Sequence, residues 1–189
     1  MIEILRRERT RLEQQPAKID ESPGHQNLRA SKLLFAMADR ELDSAADGPT
    51  HLKDPAAAKT VEDSILFGTP KRYDLYSWCV MVNHVHVLFK PHEELSKITQ
   101  GLKGFTAREI NAQQNARGRS LWQDESYDHW ARNEEEVLRI IEYVENNPVA
   151  AGLCQSPANY LWSSARRHNN WPKGTPFVGQ AFQPDESKS

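Results

Sequence analysis

The pattern of apolar and polar positions changes after the first 70 residues. Before that point, apolar residues recur at three- and four-residue intervals, which predicts helices over residues 1–14, 27–46 and 55–67. After it, YDLYSWCVM at 73–81 and HVHVLFK at 84–90 are rich in aromatic and β-branched residues, and only a very short break separates them. The pattern therefore predicts helices followed by an antiparallel hairpin.

Two further helices are predicted in the second half of the chain. The first covers residues 95–114, and its predicted buried stripe is Ile98, Leu102, Phe105 and Ile110. The second begins after Asn133 as the N-cap residue, with Glu136 placed to close a capping box, and ends at about Asn147 because Pro148 follows. The segment LWQDESYDHWA between them is interpreted as extended chain or a short strand.

Composition limits the class of protein. The chain has 189 residues, 38% hydrophobic and 26% charged, and no apolar run approaches the roughly 18 residues that a membrane span needs. The charged N-terminus is not a secretory signal, so a soluble cytoplasmic protein is expected. Cys79 and Cys154 lie far apart in the sequence, which favours neither a disulfide framework nor a thiolate zinc site.

The two histidines of the HVHVLFK strand are the first candidate for chemistry. His84 and His86 are two residues apart, so both side chains project from one face of the strand while Val85, Val87 and Phe89 project from the other. That spacing is suited to metal ligation. Solvated or merely packed strand histidines are the alternative, because a His-x-His pair is a weak motif when it stands alone.

Two polar residues of the last predicted helix border its apolar face. Tyr143 and Asn147 are four residues apart and lie on the same side. If the helix crosses the histidine face, two imidazoles and an amide oxygen give a half-filled coordination sphere that suits Mg²⁺ or Mn²⁺. A tyrosine can act as a covalent nucleophile, although only about a thousandth of free tyrosine is ionised at pH 7. The alternatives are a packing tyrosine and a helix-ending asparagine.

Charge is segregated along the chain, although the formal net charge is only −2. Basic residues cluster in two acid-poor segments, which permits a basic face for nucleic acid. The candidate DNA contacts are Lys103, Arg108, Arg117, Arg119, Arg166 and Arg167, with Trp122, Tyr127, Trp130 and Trp162 as stacking candidates. A solvated helix face explains the basic residues equally well, and core packing is the alternative for the aromatic ones.

Four ordered segments resemble a known family. RYDLYSWCVMVNHVHVLF, LWQDESYDHWARNEEE, IEYVENNPVAAGL and YLWSSA are similar to segments of the REP-associated tyrosine transposases, relatives of the bacterial single-tyrosine HUH transposases. The resemblance covers residues 71–166. It implies that His84 and His86 bind the metal, that Asn147 helps to bind it, and that Tyr143 is the nucleophile.

The resemblance also implies a fold and an activity. The expected fold is α+β, a ferredoxin-like antiparallel sheet with packed helices after a helical N-terminal region. The chain length itself predicts a single domain, over residues 1–183, and the polar composition of PDESKS predicts a disordered tail at 184–189. The expected activity is Mg²⁺- or Mn²⁺-dependent cleavage of single-stranded, hairpin-forming repeat DNA through a 5′-phosphotyrosine, by a monomer or homodimer.

The chain departs from the family at two places. Val82 stands where proline is common, and MIEILRRERTRLE stands where the family has a first strand of the type FVTFR. One core strand is therefore expected to be missing. This leaves a second interpretation open, a truncated or domesticated protein that binds DNA hairpins without cutting them. A structural metal site or an unrelated binding protein is the third.

Overall fold

The structure, a computed structural model, describes residues 50–123, 131 and 134–170, without the side chains of 134, 135 and 168–170. These residues belong to one compact unit. The helices predicted at 1–14 and 27–46, the expected absence of a first strand, most of LWQDESYDHWA and the predicted tail at 184–189 lie outside the described residues.

The described residues form three helices and one hairpin. The elements are α1 (Pro55–Gly68), β1 (Tyr73–Val80), β2 (Val85–Pro91), α2 (Leu95–Gln113) and α3 (Glu134–Ala150), with 3-10 turns at His51–Lys53, Pro157–Asn159 and Ser164–Asn170. This is the predicted α+β arrangement, and the described part of the sheet consists of its two antiparallel strands. None of the described helices is long and apolar enough to cross a membrane.

Local chemistry explains both ends of α1. The side chain of Asp54 caps the helix by accepting a hydrogen bond from the Ala56 N–H at 3.0 Å, and Pro55 occupies the first turn, where its missing N–H costs nothing. At the other end, a Cβ on Gly68 would collide with the Tyr73 ring. The glycine therefore lets the first residue of β1 pack directly against the end of the helix.

The two faces of the hairpin support different packing. On one face, Trp78 and Leu75 join Ile65 of α1 and Ile98 and Ile110 of α2 in the main apolar core. Since side chains alternate along a strand, Cys79 projects from the opposite face. There, Cys79 and Met81 form a smaller cluster with Val144 of α3, against which Tyr143 and Tyr160 pack. The helix that carries Tyr143 thus covers the face opposite the main core.

The edge of β1 that does not pair with β2 is partly covered by residues near the end of the described chain. Cys79 forms an isolated antiparallel bridge with Ser163, and the Val80 N–H donates to the Trp162 carbonyl at 2.9 Å. The segment YLWSSA therefore lies along β1. Pairing of this kind reduces the number of backbone groups that an edge strand leaves open.

Two sequence-based expectations about the helices are wrong in detail. Phe105 was expected in the buried stripe of α2, but it is 45% exposed, because the buried side of the helix is centred between Ile98 and Ile110, near Thr106, and Phe105 lies at its edge. The last helix was expected to end at about Asn147, but α3 continues to Ala150 with Pro148 inside it. So close to the helix end, the missing N–H of proline removes a single hydrogen bond, and the helix continues for less than one turn.

Candidate active site

His84 and His86 lie together at the start of β2. His84 closes the turn from β1, and His86 is the second residue of the strand, paired with Cys79. Each histidine is only 8% exposed. Their rings are 4.7 Å apart and nearly perpendicular, and their Nε2 atoms are separated by 2.9 Å. Two buried imidazole nitrogens therefore face each other at hydrogen-bond distance.

The spacing of the two Nε2 atoms tests whether the pair fits a cation. Mg²⁺ holds its ligands at about 2.05 Å in octahedral geometry, which places neighbouring ligands about 2.9 Å apart. Tetrahedral zinc at a similar bond length needs about 3.3 Å. The observed 2.9 Å fits neighbouring positions on an octahedral ion. Among the described residues, no group of three His, Cys, Asp or Glu side chains could hold a metal.

Tyr143 meets this pair from the other element. Its ring stands edge-on to the ring of His86, with 5.9 Å between the centroids and 83° between the planes. Tyr143 packs on the Cys79–Met81 cluster, which fixes the side of α3 that faces the hairpin. Asn147 lies one turn further along α3 and is 3% exposed. The structure therefore brings Tyr143 to the histidines and buries Asn147 on the same side of the helix.

A buried serine links α3 to β1 close to this site. The Ser164 hydroxyl donates to the Glu145 carboxylate at 2.7 Å and accepts from the Trp78 backbone N–H at 3.2 Å. Ser164 is fully buried, and Glu145 is 8% exposed. Since Glu145 lies two residues after Tyr143, this link helps to fix where the tyrosine helix sits on the hairpin. No local sequence pattern predicts this link, because it joins residues that are far apart in the chain.

Asn83 is a site residue that the sequence reasoning missed as well. Its side-chain oxygen lies 2.8 Å from Nδ1 of His84, on the opposite side of the ring from His86. The only available signal was an asparagine in a tight turn directly before a candidate ligand.

Two of the predicted DNA contacts are bound to other parts of the protein. The Arg119 guanidinium donates to the side chains of Asn111 at 3.0 Å and Gln114 at 2.7 Å. Lys103 donates to the Gln123 carbonyl at 2.9 Å. These contacts hold the end of α2 against the loop that follows it. The structure thus gives both cations a role in the fold in addition to the predicted role in binding.

The remaining predicted cations differ in exposure. Arg167 pairs with buried Glu62 at 2.9 Å. Arg108, Arg117 and Arg166 are exposed. The guanidinium carbon of Arg108 lies 5.7 Å from the centre of the exposed Phe105 ring, on the outer side of α2. Arg108 and Phe105 therefore present a cation and an aromatic face together.

The aromatic residues predicted to stack on bases are mostly part of the core. Trp122 packs against the main core and its indole N–H donates to Thr106 at 2.9 Å. Trp162 also packs against that core. Tyr127 and Trp130 lie outside the described residues. For Trp122 and Trp162, packing in the core is therefore favoured over stacking on bases.

Comparison with known proteins adds a family. Residues 66–147 match the model of a family described as IS200-like transposases. The matched segment contains the hairpin, α2 and α3 as far as Asn147, which includes both histidines and Tyr143, and it covers less than half of the 189-residue chain. The match supports a transposase, a protein that binds and processes DNA. No curated protein and no solved structure matches the chain.

Proposed function

We propose that this protein nicks and transfers single-stranded DNA, with Tyr143 as the nucleophile and His84, His86 and Asn147 as ligands of Mg²⁺ or Mn²⁺. The observation that supports this best is the arrangement of three side chains. The Nε2 atoms of the two histidines converge at 2.9 Å, and the Tyr143 ring lies edge-on to His86. Metal ligands and a nucleophile must lie this close together if both are to act on one phosphate.

The chemistry is an exchange of phosphodiester bonds. The Tyr143 oxygen, having lost its proton, attacks phosphorus, and an O–P bond forms while the bond from phosphorus to the 3′ oxygen breaks. The product is a 5′-phosphotyrosine and a free 3′ oxygen, which takes up a proton. Attack by a 3′-hydroxyl on the same phosphorus reverses the exchange and frees Tyr143. The bound cation would polarise the phosphate oxygens and stabilise the charge that develops on them.

The proposed substrate is hairpin-forming repeat DNA. Support comes from the resemblance to REP-associated transposases. The segments of this chain that carry the resemblance include the histidine hairpin, the tyrosine helix and YLWSSA. In the structure these three segments pack on one another: α3 covers the histidine face, and YLWSSA lies along β1. The exposed Arg108 and Phe105 are proposed to contact the strand, because basic residues and aromatic faces together bind single-stranded DNA.

A covalent adduct tests the proposal. Purified protein is incubated with labelled single-stranded hairpin DNA and Mn²⁺, and a protein–DNA adduct that survives SDS is expected. Tyr143→Phe should abolish it. Tyr160→Phe is the matched control. Tyr160 packs against the same Cys79–Met81 cluster as Tyr143, but its hydroxyl donates a hydrogen bond to the Val80 carbonyl at 3.0 Å. An adduct that persists in Tyr143→Phe contradicts the assignment of the nucleophile.

The second candidate is a protein that binds DNA hairpins without cutting them. Salt-dependent binding of hairpin DNA by wild type, with no adduct under any divalent cation, would favour it. Failure to bind hairpin DNA in low salt would exclude both candidates.

A further inference from the structure

The contact between Asn83 and His84 determines which nitrogen of the His84 ring carries its hydrogen. With the amide oxygen of Asn83 2.8 Å from Nδ1, that nitrogen must be the donor, because an amide oxygen only accepts. A neutral imidazole has one N–H. Nε2 of His84 is therefore left with its lone pair, the form in which it can bind a metal.

The backbone holds Asn83 in position for this contact. The Met81 N–H donates to the His84 carbonyl at 2.9 Å and closes the turn between the strands. The Val82 carbonyl accepts from the N–H of Leu52 at 3.1 Å, and Leu52 is buried in the main core. Hydrogen bonds thus hold the backbone of the turn around Asn83, which keeps this residue next to His84.

The lone pair on Nε2 of His84 also determines which nitrogen of His86 carries the hydrogen. Without a cation, two Nε2 atoms at 2.9 Å need one hydrogen between them, and His84 cannot supply it. His86 must then carry its hydrogen on Nε2 and donate to His84. A cation held by both Nε2 atoms would need both lone pairs, so His86 would carry its hydrogen on Nδ1 while His84 would keep its form.

We propose that Asn83 is a positioning residue: it holds His84 permanently in the metal-binding tautomer, so that only His86 has to change when the cation enters. The role in cation binding rests on the proposed function. Hydrogen bonds of this kind to a metal-binding histidine orient the ring and raise its basicity, and their removal typically weakens metal affinity by about 10- to 100-fold.

Nitrogen NMR of the imidazoles in cation-free protein tests the first half of the proposal. At a pH where the rings are neutral, wild type is expected to show hydrogen on Nδ1 of His84 and on Nε2 of His86. Asn83→Ala should give a mixture of tautomers at His84. Asn83→Asp keeps an accepting oxygen and should preserve the wild-type pattern. Hydrogen on Nε2 of His84 in wild type overturns the proposal, whatever the protein does to DNA.

Calorimetric titration with Mn²⁺ tests the second half. Asn83→Ala should bind Mn²⁺ about 10- to 100-fold more weakly than wild type. Asn83→Asp keeps the accepting oxygen, so its affinity for Mn²⁺ should be close to that of wild type. The control is Asn146→Ala, which removes an exposed asparagine whose amide donates to the Glu142 carbonyl within α3. Circular dichroism of each variant checks that it is folded.

The outcomes separate this proposal from the function on which it rests. Unchanged Mn²⁺ affinity in Asn83→Ala overturns the positioning role even if the protein nicks DNA. Asn83→Asp behaving like Asn83→Ala also overturns it, because the amide nitrogen would then face His84. If wild type binds no Mn²⁺ but shows the expected tautomers, the cation of the proposed function is wrong and the positioning role in metal binding falls with it, while nicking is judged by the adduct alone.

Discussion

The ring of Tyr143 lies edge-on to the ring of His86, with centroids 5.9 Å apart and ring planes at 83°. The two residues come from different elements, the last helix and the second strand, so their contact depends on how α3 packs on the hairpin. Val144 packs into the cluster of Cys79 and Met81 directly beside them. The site is therefore built where the smaller apolar cluster meets the histidine face.

Removing either histidine should abolish metal-dependent nicking. For His86→Ala and His84→Ala, we expect adduct formation in Mn²⁺ to fall by more than about 100-fold, because even indirect partners of a metal are worth 10- to 100-fold in affinity or activity. The measurement is the yield of the SDS-stable adduct. The matched control is His92→Ala, since His92 lies just beyond the same strand and pairs with Asp74 at 3.0 Å. Equal loss in all three variants would mean that the histidine pair has no special role.

Local sequence patterns were sufficient to predict the hairpin and the three helices of the described residues. The hairpin was predictable because YDLYSWCVM and HVHVLFK have strand composition and a short turn between them. The helix that begins at Pro55 was predictable because a first-turn proline begins it and its apolar residues recur at helical intervals. In these segments, local preference and tertiary packing agree. The exposure of Phe105 was not predictable, because it depends on how α2 is rotated against α1 and the main core.

For the site, the sequence could supply candidates but not their contacts. The spacing of His84 and His86 places both on one face of any strand, so their proximity follows from geometry. The contact of Tyr143 with His86 depends on the angle at which α3 crosses the sheet, which no local pattern determines. The Ser164–Glu145 link is equally inaccessible, since small polar residues are common in loops and nothing marks a buried one.

Arg108 and Arg119 should behave differently when removed, although both were predicted to bind DNA. The Arg108 side chain is 72% exposed and pairs at the surface with its neighbour Glu109 at 3.4 Å, whereas Arg119 is bound to Asn111 and Gln114. Arg108→Ala is expected to weaken hairpin binding and to reduce the slope of log affinity against log salt by about 1, as loss of one phosphate contact does. Arg119→Ala is expected to lower the free energy of unfolding by about 1–3 kcal/mol.

Binding titrations at several salt concentrations and urea unfolding of the same two variants make the comparison. A smaller salt slope in Arg119→Ala than in Arg108→Ala, with unchanged stability, would reverse the assignment. Phe105→Ala should lower the affinity without changing the salt slope, because stacking on a base releases no counterion.

Ser164→Ala should destabilise the protein and slow adduct formation together. The variant removes the hydroxyl that joins the Glu145 carboxylate to the Trp78 backbone inside the protein, and loss of such buried contacts costs about 1–3 kcal/mol. Ser163→Ala is the control: Ser163 is equally buried, but its hydroxyl oxygen accepts only a long bond, 3.3 Å, from the Ala165 N–H. Urea unfolding gives the stabilities, and the adduct rate at saturating DNA gives the effect on Tyr143. Equal stability of the two variants would contradict the link.

Stability should fall at high pH because the buried Tyr73 and the partly buried Tyr160 resist ionisation. Burial raises the pKa of Tyr73 from its ordinary value of 10.0 to about 12, although the positive charge of Arg72 lowers it slightly. The Tyr73 hydroxyl donates to the Ile65 carbonyl at 2.6 Å, a bond that needs the proton. Burial also raises the pKa of Tyr160, with the nearby Cys79 and Cys154 adding to the effect.

The direction of the pH effect on stability depends on whether the folded or the unfolded state keeps the Tyr73 proton. Between pH 10 and about 12 the unfolded chain loses the Tyr73 proton and the folded protein retains it, so the free energy of unfolding falls as the pH rises through this window and is unaffected below it. A shift of two pKa units corresponds to a fall of at most about 3 kcal/mol. Urea unfolding at a series of pH values measures it. Tyr73→Phe should be less stable at neutral pH, because it lacks the bond to Ile65, yet its stability should fall less steeply above pH 10. Parallel curves for wild type and Tyr73→Phe would show that Tyr73 ionises equally in both states.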